Sequence, residues 1–122
     1  MTWRYVVSTG ALFKDGGAFA NGYSGNGAAV NNPDMQALHD HGPLPSGFYT
    51  IGAPKDPIDH LGPLAMPLAP GPNNDMFGRS AFFIHGDNTM GNRSASNGCI
   101  ILSHITRQAI ADSSDRSLLV TA

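Results

Sequence analysis

Apolar positions along this chain fall in short runs, and turn-forming residues separate them every few positions. The runs Trp3–Ser8, Ala11–Phe13, Ala18–Tyr23, Ala28–Val30, Gly47–Ile51, Ala81–His85, Cys99–Leu102 and Ser117–Thr121 are rich in aromatic and β-branched residues, which favour strands. Lys14-Asp15-Gly16-Gly17 lies between two of them and predicts a hairpin turn; Asn21-Gly22 and Asn26-Gly27 are further turn signals. A helical pattern occurs once: Ser103 or Thr106 caps a short helix through Ile105–Ala111, with Ile105, Ala109 and Ile110 towards the core. The stretch Pro54–Asn74 is proline-rich and has no usable period, which predicts a long ordered loop or flap. Strands at this spacing predict a mainly β fold, a sandwich or barrel-like sheet with one short helix after Cys99. Trp3, Phe13, Phe48, Phe82 and Phe83 sit in strand patterns and are expected in its core, while Tyr23 and Tyr49 are open to either role.

Composition narrows the functional classes. A length of 122 residues suits a single domain over residues 1–122. The chain is 41% hydrophobic and 13% charged, which excludes a disordered tail. A net charge of −2 with scattered Lys and Arg excludes nucleic acid as the main ligand. No window approaches about eighteen consecutive apolar residues, so no membrane insertion is expected. The opening MTWRYVVSTG lacks the apolar core and cleavage site of a secretory signal, so cytoplasmic synthesis without a signal peptide is expected. The absence of Glu removes Glu-dependent schemes such as the HExxH metallopeptidases. The single Cys, Cys99, excludes an internal disulfide and zinc sites with two or more thiolates. Such a Cys is either a small buried hydrophobe or a reactive thiol, and its neighbours decide between them.

Those neighbours lie in FFIHGDNTMGNRSASNGCIIL, residues 82–102. One apolar run ends in His85-Gly86, a polar loop follows, and Ser96-Asn97-Gly98-Cys99 opens the next run. If the two strands pair, His85 and Cys99 arrive at one rim of the sheet. An unperturbed thiol, with a pKa of about 8.5, is a few per cent thiolate at neutral pH, and a nearby imidazole can take its proton. Cys99 is thus the candidate nucleophile and His85 its base. Asn97-Gly98 supplies a tight turn, and Gly98 lets a substrate carbonyl approach the backbone, where the Cys99 N–H and a neighbour can form an oxyanion hole. Ser96 and Asp87 are candidates for orienting His85, and a backbone carbonyl serves equally well.

The pattern His-Gly, a spacer, then Ser-x-Gly-Cys resembles the active-site signature of the YkuD-type L,D-transpeptidases. Pro45-Ser46-Gly47-Phe48-Tyr49-Thr50-Ile51 is similar to the family's Pro-x-Gly-x-Phe/Tyr-x-Ile strand. Met76-Phe77-Gly78-Arg79-Ser80 before IHGD, with GCIIL after Ser96, is closer to the Tlde1-type subgroup, toxins delivered by type VI secretion. The resemblance runs from Tyr5 to Ala122. It departs from the broad family at Asn97, where many members have His, at Ile101, where many have Arg or Asn, and at Asp87, where Thr or Ser is usual.

What the resemblance implies is a YkuD-like domain whose Cys99 attacks the carbonyl of the diamino acid at position three of a peptidoglycan stem tetrapeptide. D-Ala leaves and His85 shuttles the proton, with Ser96 and Gly98 as flanking architecture. Water, a free D-amino acid or a neighbouring stem's amine resolves the thioester, and the subgroup favours the first two. Arg79, Arg93 and Gly86 are candidates for binding substrate. No metal or organic cofactor is required. The implied partners are stem peptides, a cognate immunity protein and the type VI secretion apparatus; the protein is expected to be a monomer active in the periplasm of a target Gram-negative cell. Competing readings are a housekeeping transpeptidase, a non-catalytic wall-binding module, and a zinc peptidase. The last would use His39, His41 and His60, since His39-Asp40-His41 on a strand would put both imidazoles on one side, with Asp59 or His60 as a third ligand.

Overall fold

The Lys14–Gly17 turn forms as its residues demand: Asp15 and Gly16 both take positive φ, 53° and 85°, the pair of angles that matches the twist of a two-residue hairpin. It joins β2 (Ala11–Lys14) to β3 (Gly17–Asn21). The structure is a computed structural model and describes residues 2–54, 64–87 and 96–122. Its remaining strands are β1 (Trp3–Val6), β4 (Tyr23–Ser24), β5 (Gly47–Ile51), β6 (Met66–Pro70), β7 (Phe83–His85), β8 (Ile100–Ile101) and β9 (Ser117–Thr121), with helix α1 (His104–Asp112) between β8 and β9.

Among the described residues these nine strands form one sheet in the order β3-β2-β1-β9-β5-β6-β7-β8-β4. The two edge strands, β3 and β4, are consecutive in the chain and joined by Gly22 alone, so the sheet curls until its edges meet and the barrel is nearly closed. Gly22 donates its N–H to Gly10 O at 2.8 Å. A Cβ there would lie 2.0 Å from Ile101 O, so the close approach of β8 requires glycine. Trp3, Tyr5, Leu12, Tyr49, Ile51, Met66, Ile84, Ile100, Leu118 and Val120 fill the interior, and Ile110 of α1 joins them.

Four expectations are corrected. The proline-rich stretch holds a strand, β6, which bridges β5 and β7; its residues 55–63 lie outside the described residues. Prolines fit because successive residues address opposite neighbours. Leu68 N–H reaches Phe82 O and Pro67 C=O receives Gly52 N–H, so Pro67 lacks a donor only at the frayed start of the β5 pairing. Pro70 lies beyond the residues of β7 that pair.

Phe48 is 61% exposed, because β5 alternates and it is Tyr49 and Ile51 that face inward. Ile105 is 83% exposed: with Ser103 as the N-cap, accepting Thr106 N–H at 3.2 Å, the buried face of α1 is Thr106, Arg107 and Ile110. The run Ala28–Val30 lies in a 3-10 turn over Gly27–Ala29 and its C-cap rather than in a strand. No described helix is long and apolar enough to cross a membrane.

Candidate active site

β7 and β8 pair in parallel, Ile84 with Ile100 and His85 with Ile101. Cys99 stands two residues before Ile101, so it shares a face with His85, offset diagonally across the pair. From a strand spacing of about 4.8 Å and a two-residue step of about 6.6 Å, their Cα atoms are roughly 8 Å apart, within reach of a His side chain. Both are buried, Cys99 at 8% exposure and His85 at 3%.

The His85 ring is oriented by its own backbone neighbour. His85 Nδ1 lies 2.8 Å from Gly86 O. A carbonyl only accepts, so Nδ1 carries the proton and Nε2 holds the lone pair of the neutral ring. Burial lowers the His85 pKa; the Gly86 carbonyl and Asp87 pull it up, and Arg107 pushes it further down. The imidazole therefore stays neutral, and basic, at neutral pH. Asp87 accepts a 2.6 Å hydrogen bond from Tyr23 OH.

Around the thiol, Phe83 N–H donates to Cys99 Sγ at 3.3 Å. Burial raises the thiol pKa, while that N–H and the Arg79 guanidinium oppose the rise. Burial thus favours the neutral form of both the thiol and the imidazole. No hydrogen bond joins Cys99 to His85 among the described residues.

Ser96 is fully buried and builds the turn ahead of the thiol. Its Oγ accepts from Gly25 N–H at 2.9 Å and Gly98 N–H at 3.0 Å, and donates to Cys99 O at 2.6 Å. Ser96 thus takes the Gly98 N–H, which is no longer available to a substrate oxygen. Gly98 adopts φ of 122°, and a Cβ on it would lie 2.5 Å from both Arg79 Nη2 and Phe82 Cε1. The exposed Asn97 gives its carbonyl to Arg79 and its side-chain oxygen to Asn26.

Arg79 is 7% exposed and spends four donors on backbone carbonyls: Gln36, Pro43, Gly42 and Asn97. Its guanidinium lies over the Phe82 ring at 5.1 Å. It therefore clamps the 36–43 segment to the Cys99 turn. Arg93 lies outside the described residues, as do Asp59 and His60. Gly86 borders Arg107, whose Nη2 would be 2.6 Å from a Cβ at that position.

His39 and His41 do not converge. They sit on an exposed turn, His39 Nε2 bonding Phe77 O at 2.8 Å and His41 Nδ1 bonding Asn26 Oδ1 at 2.7 Å. Among the described residues no group of three or more His, Cys, Asp or Glu is placed to hold a metal. Sequence reasoning left Tyr23 open to either role and missed Phe83 N–H, Ser24 and Arg107. Ser24 Oγ links the site to the interior, donating to Gly98 O at 3.0 Å and accepting Leu44 N–H at 2.9 Å. Only the closing of the barrel puts β4 beside the thiol turn, and no local pattern signals that.

The nearly closed sheet with one short helix is an L,D-transpeptidase-like fold. The structure is similar to the crystal structure of the L,D-transpeptidase (residues 123-326) from Xylanimonas cellulosilytica DSM 15894, with a TM-score of 0.58 and 18% identity. The match covers 98% of this chain and 59% of that one, so this chain spans little more than half of its neighbour, and the likeness is one of fold. Residues 18–120 match the Tlde1 domain, and the chain belongs to that family. No curated protein matches it.

Proposed function

We propose that this domain is a cysteine acyl-transferase acting on peptidoglycan stem tetrapeptides, as an L,D-carboxypeptidase and by D-amino acid exchange. The observation that carries this reading is His85 and Cys99 on one face of a parallel strand pair, with the Gly86 carbonyl leaving Nε2 as the basic nitrogen. Membership of the Tlde1 family and the transpeptidase-like fold support a peptidoglycan substrate. In the proposed reaction His85 Nε2 takes the thiol proton as Sγ attacks the carbonyl carbon of the third residue. The C–N bond breaks, His85 returns that proton to the departing D-Ala nitrogen, and a thioester remains on Cys99. Water or a D-amino acid amine then attacks the thioester and releases the thiol. Each oxyanion donor at the Cys99 turn contributes about 3 kcal/mol to the barrier reduction.

Delivered as a type VI secretion effector, such an enzyme would remove tetrapeptide donors from a rival's wall, and a cognate immunity protein would protect the producer. The test is mass spectrometry of purified tetrapeptide muropeptides incubated with wild type and Cys99→Ala, with and without D-methionine. Tripeptides, or D-methionine-exchanged tetrapeptides, made by wild type alone support the reading. Unchanged muropeptides with wild type refute it. Expression with a periplasmic leader tests the effector role: lysis is expected, abolished by Cys99→Ala, and growth unaffected by periplasmic wild type contradicts it.

A further inference from the structure

Arg79 carries a positive charge into the interior beside the Cys99 turn, and its bonding partners there are all neutral. The residue is 7% exposed. Its terminal nitrogens donate to the carbonyls of Gln36 at 2.6 Å, Pro43 at 2.8 Å, Gly42 at 2.9 Å and Asn97 at 3.1 Å. Among the described residues no carboxylate stands within ion-pair distance of it. Carbonyls satisfy the hydrogens of a guanidinium but leave its charge uncompensated, and a desolvated charge without a counter-ion is costly. Clamping a loop needs donors rather than a charge, so the clamp alone does not account for a cation at this place.

The charge lies against the residue that precedes the thiol. A Cβ on Gly98 would be 2.5 Å from Arg79 Nη2, so the absence of a side chain there is what lets the guanidinium come so close. On its other side Arg79 covers the Phe82 ring, and the next residue, Phe83, donates its N–H to Cys99 Sγ at 3.3 Å. Burial pushes the Cys99 thiol up and the His85 imidazole down, and Arg79 opposes the first of these shifts. Proton transfer from Cys99 to His85 makes an anion where burial disfavours one, and a fixed cation nearby favours it. The other groups acting on Arg79 are Asp40, on the exposed turn, and Tyr49, whose phenol burial keeps neutral. Asp87 and Arg107 act on His85.

We propose that Arg79 is a positioning residue whose charge, and not its clamp alone, stabilises the negative charge that develops on Cys99 Sγ and then on the attacked carbonyl oxygen. The inference rests on Cys99 as the acyl-transfer nucleophile. In that attack the thiol proton goes to His85 Nε2 and the sulfur electron pair forms the C–S bond. The carbonyl π pair moves to oxygen. Arg79 exchanges no proton and stays charged throughout. Its terminal N–H groups are already occupied by carbonyls, so its action requires no contact with substrate. The same four bonds fix the charge in place before the reaction, which spares reorganisation as the anion forms.

Cys99 is the single thiol of the chain, so its alkylation by iodoacetamide reports on it alone and needs no peptidoglycan. Failure of this inference is thereby read separately from failure of the muropeptide chemistry. Rates are measured across pH for wild type, Arg79→Gln, Arg79→Lys and Asp40→Asn. The two roles of Arg79 predict opposite signs. If Arg79 only clamps, Arg79→Gln loosens the turn, exposes the thiol and speeds alkylation. If its charge acts on sulfur, Arg79→Gln slows alkylation at pH 7 by about fivefold or more and moves the pH midpoint upward. Arg79→Lys keeps the charge and is not slowed. Asp40→Asn removes a carboxylate that acts on Arg79, at a positive φ that Asn also adopts. It is expected to speed alkylation about twofold at low salt, an effect lost at about 1 M salt. Faster alkylation of Arg79→Gln, or equal slowing of both Arg79 variants, overturns the proposal. Should neither Arg79 variant fold, Asp40→Asn decides, and a rate equal to wild type at low salt overturns it.

Discussion

Two residues of the proposed site, His85 and Gly98, have expected responses to change. Replacing His85 with Ala should lower activity about 10²–10⁴-fold at pH 7. Because burial and the loss of the base both keep the thiol protonated, partial recovery should need a pH above the ordinary thiol range. A pH–rate profile of the mutant checks this; activity equal to wild type at pH 7 removes His85 from the mechanism. The depressed pKa of His85 also acts on stability. Between that folded value and the ordinary 6.5, the unfolded chain binds a proton that the native imidazole refuses, so His85 makes stability fall as pH drops below about 6.5. Urea midpoints of wild type and His85→Gln between pH 7 and pH 5 should diverge in slope, the mutant losing less on acidification. Gly98→Ala should cost at least tenfold in activity with the fold retained, since the new Cβ displaces Arg79 and Phe82 at the thiol turn. Unaltered kcat/KM would show that the turn tolerates the change.

At the scale of elements, α1 places the buried Arg107 against Gly86, next to His85 in the chain. Its N-cap should be worth about 1 kcal/mol, read as the drop in unfolding free energy of Ser103→Ala. Ile105→Ser, on the exposed face, should change stability by less than about 0.5 kcal/mol. A large loss there would mean that the helix packs in the other phase. The contrast shows what the sequence could and could not disclose. Strands β1, β2, β5 and β9 were legible because alternation and turn residues report local geometry. β6 was not, because its prolines argue against a strand until the neighbours that excuse them are known. Phe48 and Ile105 were misplaced for a related reason: burial depends on which face of an element meets the sheet, and one residue of phase reverses it.

For the molecule as a whole, the site is a product of closure. His85 and Cys99 were legible as a pair, since both lie in one segment and end or begin an apolar run. Tyr23 and Ser24 reach that segment only because the sheet wraps from β3 round to β4. Gly22 makes that closure possible, so Gly22→Ala should destabilise the fold by about 1–3 kcal/mol and lower the urea midpoint without changing the m-value. An unchanged midpoint would mean that the edges do not meet as described. The central claim, however, is covalent: Cys99 carries the acyl group. Intact-protein mass spectrometry of wild type quenched in acid during turnover of a tetrapeptide muropeptide tests it most directly. The expected result is an adduct equal to the muropeptide minus D-Ala, released by hydroxylamine, mapped to the Cys99 peptide and absent from Cys99→Ala. Release of D-Ala without any adduct on Cys99, or with activity intact in Cys99→Ala, would contradict the account.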